Sequence, residues 1–234
     1  HPSMHMDSSD NLYGSWVNYA ASEAYYATLG TRTLIFDKYD PPEYSDIYID
    51  SNDNVNVTYL GNYYNGGNSW GHLNVFDDDS APNKGDIGNY GAYYIDWLGH
   101  DNILYQFQNA RVVRTGVNTH VAYFDNLEKT LKYSYRDTSN PTPDTSGTDD
   151  DGFPVLADMD GVLALDGGNA GTGMTLSGVT AAALAGQYVA IDVDEDGFPV
   201  IMYYDISNQT LRLAYADQTN PTAEADWTIQ SVFQ

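Results

Sequence analysis

The sequence predicts an all-β protein built from short antiparallel strands, and three observations carry that expectation. Of its 33 acidic residues 28 are Asp and 5 are Glu. Asp, like Asn and Gly, favours turns and disfavours helix interiors, whereas Glu is a good helix former. Tyr and Gly each number 21, which enriches a strand former and a turn former together. The third observation is internal repetition. Residues 121–142 align without gaps on 201–222, with nine of 22 positions identical, among them Tyr123/Tyr203, Asp125/Asp205, Leu131/Leu211 and Tyr135/Tyr215.

The clearest copy reads as four strands. YVAID (188–192) is an apolar strand, and VDEDG (193–197) is its turn. FPVIMYYD (198–205) is the second strand, ISNQT (206–210) the next turn, and LRLAYAD (211–217) an alternating third strand. WTIQSVF (227–233) completes the unit. Short strands separated by Asp, Asn and Gly suit an antiparallel meander. Weaker copies lie at 2–19 and 46–60, each strand, polar turn, strand, with a turn Asp expected at Asp7, Asp50 and Asp192. The echo DDDGFPV (149–155) against DEDGFPV (194–200) adds a spacing of 45 residues.

A four-stranded unit recurring every 40–47 residues or so is the signature of a propeller blade. The expected fold is therefore a single β-propeller domain, with four clear units, a fifth that is degenerate or inserted, and room for more blades if the native chain is longer. The approximate units are 1–43, 44–102, 103–143, 144–186 and 187–234. FPVLAD, GVLALD and GMTLSGV would supply the strands of the unit at 144–186.

The run D-x-D-G-x-P-V-I-x-Y-Y-D-x5-L-R-x-A-Y over 194–215 resembles the β-propeller repeats common in secreted and surface proteins of bacteria. The resemblance is good over 187–234 and 119–142 and fair over 1–60. It implies a fold and an extracellular or cell-surface context in a bacterium. It does not imply an activity, because propellers host lectins, hydrolases, adhesion modules and assembly platforms.

Charge narrows the partners. Nine basic residues against 33 acidic ones give a formal net charge of −24. Phosphate recognition needs basic stripes, so nucleic acid is excluded as a partner, and an anionic membrane surface is disfavoured for the same reason. No apolar run approaches the ~18 residues a spanning helix needs, so membrane insertion is not expected. Cysteine is absent, which fits an exported bacterial protein and a cytosolic one equally. The chain begins at His1 without a signal peptide, as a processed or partial chain would.

Two constellations could carry a site. Asp192-x-Asp194-x-Asp196-Gly197 places carboxylates at positions 1, 3 and 5 of a turn, as in the opening half of a calcium loop. Asp50-x-Asn52-x-Asn54 repeats the spacing with weaker oxygen ligands. An EF-hand would need a bidentate acid at position 12, which is Tyr203, so any calcium would sit in a hairpin turn. The resemblance there is to the calcium-bearing turns of integrin-head propellers. The alternative is a solvated turn in which Asp and Asn bond their own backbone. The second constellation is Tyr63, Tyr64 and Trp70, which flank Asn65-Gly66-Gly67-Asn68 on an expected flexible loop. Exposed aromatics stack on sugars and anchor protein contacts.

These features point to a non-catalytic extracellular binding or assembly module that engages a glycan or a protein through loop aromatics, with calcium stiffening its turns. The alternatives are a glycoside-active enzyme on a five-bladed propeller and a self-assembling subunit of a surface layer or filament. Five-bladed furanosidase-type enzymes use three central carboxylates from different blades, whereas the acids visible here sit in turns. No Gly-x-Ser-x-Gly elbow and no Cys nucleophile is present, and no catalytic residue is singled out.

Overall fold

The computed structural model describes residues 2–18, 23–36, 40–65, 68–77, 92–97, 107–125, 129–137, 161–167 and 185–233. They form sixteen strands in four antiparallel sheets of four, each a meander whose strands pair in chain order. Sheet 1 holds β1 (Ser3–Met6), β2 (Leu12–Asn18), β3 (Glu23–Thr28) and β4 (Thr31–Phe36). Sheet 2 holds β5 (Asp40–Ile49), β6 (Val55–Asn65), β7 (Asn68–Asp77) and β8 (Ala92–Trp97). Sheet 3 holds β9 (Phe107–Thr115), β10 (Asn118–Asp125), β11 (Thr130–Asp137) and β12 (Gly161–Gly167). Sheet 4 holds β13 (Ala185–Val193), β14 (Pro199–Asp205), β15 (Thr210–Ala216) and β16 (Trp227–Phe233). Four-stranded meanders of this kind are propeller blades, and the expected all-β fold class stands.

The repeat at 121–142 and 201–222 is the second hairpin of sheets 3 and 4, and WTIQSVF is β16. The strand GVLALD, expected in a separate fifth unit, is instead the outer strand of sheet 3. Leu163 pairs with Tyr133 and Val162 with Ser134. Alternating residues fit any free sheet edge, and β11 offers the one β12 takes. FPVLAD and GMTLSGV lie outside the described residues.

The chain divides into two compact units, each holding two of the sheets in their entirety. In the first, β5 packs across β1, β2 and β3. Ile47, Ile49, Val55 and Val57 are buried there, against Tyr13, Val17 and Tyr26 of sheet 1. In the second, β13 packs across sheet 3, and one core joins Ala122, Leu131, Tyr133 and Leu165 to Val189, Ile201, Tyr203 and Ala214. Gly186 permits that approach. Its φ is +109°, and a Cβ there would lie 2.8 Å from Leu131 Cα.

Candidate functional site

Both junctions obey one rule. A sheet presents its forward face, formed by alternate residues of its second and third strands, to the first strand of the next sheet. Registers define equivalent positions. His5↔Tyr13 and Ser3↔Ser15 in sheet 1 correspond to Asp192↔Val200 and Ala190↔Met202 in sheet 4. In sheet 3 the matching pairs are Val113↔His120 and Arg111↔Ala122.

By that correspondence, the forward face of sheet 3 carries His120, Ala122, Leu131 and Tyr133, all fully buried. Its counterpart in sheet 4 carries Val200, Met202, Leu211, Leu213 and Tyr215. Met202 is 43% exposed and Tyr215 37% exposed. The forward face of β14 and β15 is thus apolar although their covered face already holds Ile201, Tyr203 and Ala214, and apolar residues on both faces belong to strands covered on both sides. Among the described residues one face is covered and the other is partly open, with Met202 and Tyr215 exposed and Val200, Tyr204, Leu211 and Leu213 half-buried.

The backward face of sheet 1 mirrors this. Ile47, Ile49 and Val55 of sheet 2 are each 3% exposed, while their counterparts Met4, Met6 and Leu12 in sheet 1 are 69%, 57% and 47% exposed. Single exposed apolar residues are ordinary, but two open faces at stacking positions are not.

A bulge borders the open face of sheet 4. Between Gln187↔Tyr204 and Ala190↔Met202 the register shifts, leaving Tyr188 and Val189 opposite Tyr203. Tyr188 has φ +55° and is 73% exposed. Sheet 3 has the same bulge between Gln108↔Phe124 and Arg111↔Ala122, with Asn109 at φ 56°. Asn tolerates the left-handed region, and a bulky aromatic there is an outlier.

Polar chemistry concentrates beneath the other face of sheet 4. The Arg212 guanidinium contacts Asp166 Oδ2 at 2.6 Å and Asp205 Oδ2 at 2.7 Å. The Tyr203 hydroxyl donates to Asp166 Oδ2 at 2.6 Å. Burial and the neighbouring Asp166 carboxylate push the Tyr203 hydroxyl pKa well up, so it stays a donor. The equivalent pair in sheet 3 is Lys132 with Asp125 at 2.8 Å. These groups tie strand to strand and sheet to sheet. His120 and Tyr133 form a second buried pair, Nδ1 to hydroxyl at 2.7 Å. Burial pulls the His120 pKa down to about 3, and its Nε2 finds no partner among the described residues.

The expected calcium turns are built from their own hydrogen bonds. Asp50 Oδ1 accepts from the Asn52 and Asn54 N–H groups, and Oδ2 accepts from the Asn54 amide. Asp7 does the same with Ser9 and Asn11, and the Asn11 amide holds its carboxyl pKa below the usual range. The fourth-sheet turn corrects the register by two residues: the counterpart of Asp7 and Asp50 is Asp194, not Asp192. Asp194 N–H donates to Phe198 O, as Asp50 does to Asn54 O and Asp7 to Asn11 O. Asp194 Oδ1 accepts from the Asp196 and Phe198 N–H groups, while Asp192 Oδ1 accepts from Val193 N–H. Among the described residues no group of three or more His, Asp or Glu is gathered as a metal would need.

The aromatics expected on a flexible loop lie instead on two paired strands. Tyr63 pairs with Trp70, Tyr64 with Ser69 and Asn65 with Asn68, at the ends of β6 and β7, and Gly66 and Gly67 lie outside the described residues. The open face of sheet 4 was not singled out as a site from the sequence. Its signal was available in Val200, Met202 and Tyr204 alternating with Ile201 and Tyr203.

No family model matches the chain, and no curated protein matches it. Among solved structures it is similar to the crystal structure of a thermostable family-43 glycoside hydrolase, at 11% identity and a TM-score of 0.46. The likeness covers 100% of this chain and 74% of that one. At that level it carries no functional residue across to the present chain.

Proposed function

We propose that this chain is a non-catalytic binding or assembly module of an extracellular β-propeller protein. The observation that supports the reading is the partly open, apolar forward face of sheet 4, whose counterparts in sheet 3 are fully buried. A solvated sheet face normally alternates to polar residues. Retaining Val200, Met202, Leu211, Leu213 and Tyr215 there favours a face that binds a protein surface.

The test pairs a probe of the face with an assay for turnover. Dilute native protein should enhance the fluorescence of an apolar dye such as ANS. A Met202→Lys/Tyr215→Lys variant should lose most of that signal with unchanged far-UV circular dichroism and Tm. Hydrolysis of aryl glycosides or polysaccharides by the purified protein would overturn the non-catalytic reading. Dye binding that ignores the substitutions would overturn the choice of face.

A further inference from the structure

We propose that His5 is an acid-released latch between sheets 1 and 2, switched by the proton on its Nδ1. This latch lies inside the first unit and is independent of what the sheet 4 face binds. Two contacts compete for that nitrogen. The Ile49 N–H donates to Nδ1 at 3.2 Å, which requires a bare ring nitrogen. The Met6 carbonyl oxygen lies 3.0 Å from the same Nδ1, and bonding to it requires a protonated one. One nitrogen cannot serve both. The neutral ring with its proton on Nε2 ties β5 to β1, whereas the imidazolium bonds only to its own neighbour in β1.

Ile49 needs that acceptor. It is 3% exposed and sits with Ile47, Val55 and Val57 in the core of the junction. A buried backbone N–H selects the tautomer that satisfies it, and loses its partner when the ring takes up a proton. Imidazoles ordinarily change charge between about pH 5 and 8, so mild acid releases this bond.

The other titratable groups on the packed elements have their own roles. The Tyr48 ring of β5 lies 4.8 Å from that of His5, and Tyr13 of β2 stands opposite His5 in register. Asp46 accepts from Ser3 Oγ at 2.6 Å. Asp7 and Asp50 hold their own turns, and Asp10 is exposed at the turn tip. Asp53 accepts from the Ser8 N–H and Oγ at 2.8 and 2.9 Å. The Ser3–Asp46 and Ser8–Asp53 bonds flank the latch and involve no histidine. Acid therefore loosens the junction locally, at Ile49, and does not part the two sheets.

NMR of the isotope-labelled full chain tests the latch. At about pH 7.5 the His5 ring should be the Nε2–H tautomer, with a coupling across the hydrogen bond between Nδ1 and the Ile49 nitrogen. Hydrogen-exchange protection of the Ile49 amide is then followed down to about pH 5.5, relative to the intrinsic rate at each pH. It should fall about tenfold, in step with the His5 titration, as loss of one hydrogen bond implies. Ile201, in a sheet without histidine, should keep its protection. His5→Asn places a non-titrating oxygen where Nδ1 lies and should keep Ile49 protected at both pH values. His5→Phe removes the acceptor and should lower protection at both, with circular dichroism verifying that each variant folds. A proton on Nδ1 at about pH 7.5 overturns the proposal, as does Ile49 protection that ignores the His5 titration. Acid loss that persists in His5→Asn would also sink it, because the sensitivity would then lie in another group.

Discussion

Sheets 3 and 4 are one structural unit in two surroundings. They share the second hairpin, the first-strand bulge and a buried cation-carboxylate pair at identical positions. They differ in what lies over the forward face. In sheet 3 that face is covered, and it accommodates a polar pair, His120 with Tyr133, at full burial. In sheet 4 the same positions hold Val200 and Leu213, both half-buried, beside the exposed Met202 and Tyr215. The residue type thus runs opposite to simple exposure: the fully covered face holds the histidine and the partly open face the aliphatics. A polar group survives burial when a partner is in reach, whereas an apolar open face makes sense when a partner arrives from elsewhere.

The cation at the shared buried position offers the largest contrast. Arg212 spans Asp166 and Asp205, while Lys132 contacts Asp125. Arg212→Met removes the shared cation from two buried carboxylates and should cost about 3–5 kcal/mol, because breaking a buried pair leaves charge uncompensated. Lys132→Met should cost less, about 1–3 kcal/mol. Denaturant midpoints of the two variants decide it. Equal losses would show that the second carboxylate adds nothing.

The histidine gives sheet 3 a pH dependence that sheet 4 lacks. Burial holds the His120 pKa of the folded chain down at about 3, against 6.5 for an ordinary imidazole. Below pH 6.5 the unfolded chain takes up a proton that the folded chain refuses. The contribution is therefore complete above 6.5 and is lost as pH falls towards 3. At pH 4.5 it amounts to roughly 2–3 kcal/mol. Comparing urea unfolding at pH 7 and pH 4.5 should show this loss in wild type. His120→Val/Tyr133→Phe, which installs the sheet 4 residue at one position and removes the orphaned hydroxyl at the other, should show it reduced by that amount. An unchanged pH dependence in the variant would place the acid sensitivity elsewhere.

Much of this architecture was legible because the repeat is local. Tyr123/Tyr203 and Asp125/Asp205 fixed the second strands, Leu131/Leu211 the third, and Trp227 opened the last strand where the alternation began. The partner of GVLALD was not legible, since an alternating strand fits any free sheet edge and only tertiary contact chooses β11. The turn register was ambiguous for a chemical reason. Asp192-x-Asp194-x-Asp196 offers several carboxylates in sequence, and the left-handed position that picks Asp194 is filled by Gly197 here but by Asp10 and Asp53 in the other turns. Tyr63, Tyr64 and Trp70 lie on paired strands and not on a loop, because aromatics are strand formers and the Asn and Gly residues between them do not set where pairing stops. The open face was visible as a double-sided apolar strand, but a sequence does not say which side has a neighbour.

The bulge gives the smallest and most discriminating difference. Asn109 and Tyr188 occupy the same left-handed position, and only Asn adopts it readily. Tyr188→Asn should therefore stabilise the protein by about 1 kcal/mol, raising Tm by about 2–4 °C for a chain of this size. Tyr188 is 73% exposed, so little packing of its ring offsets that backbone cost. Lower Tm would show that the Tyr188 ring stabilises the folded chain by more than its backbone costs.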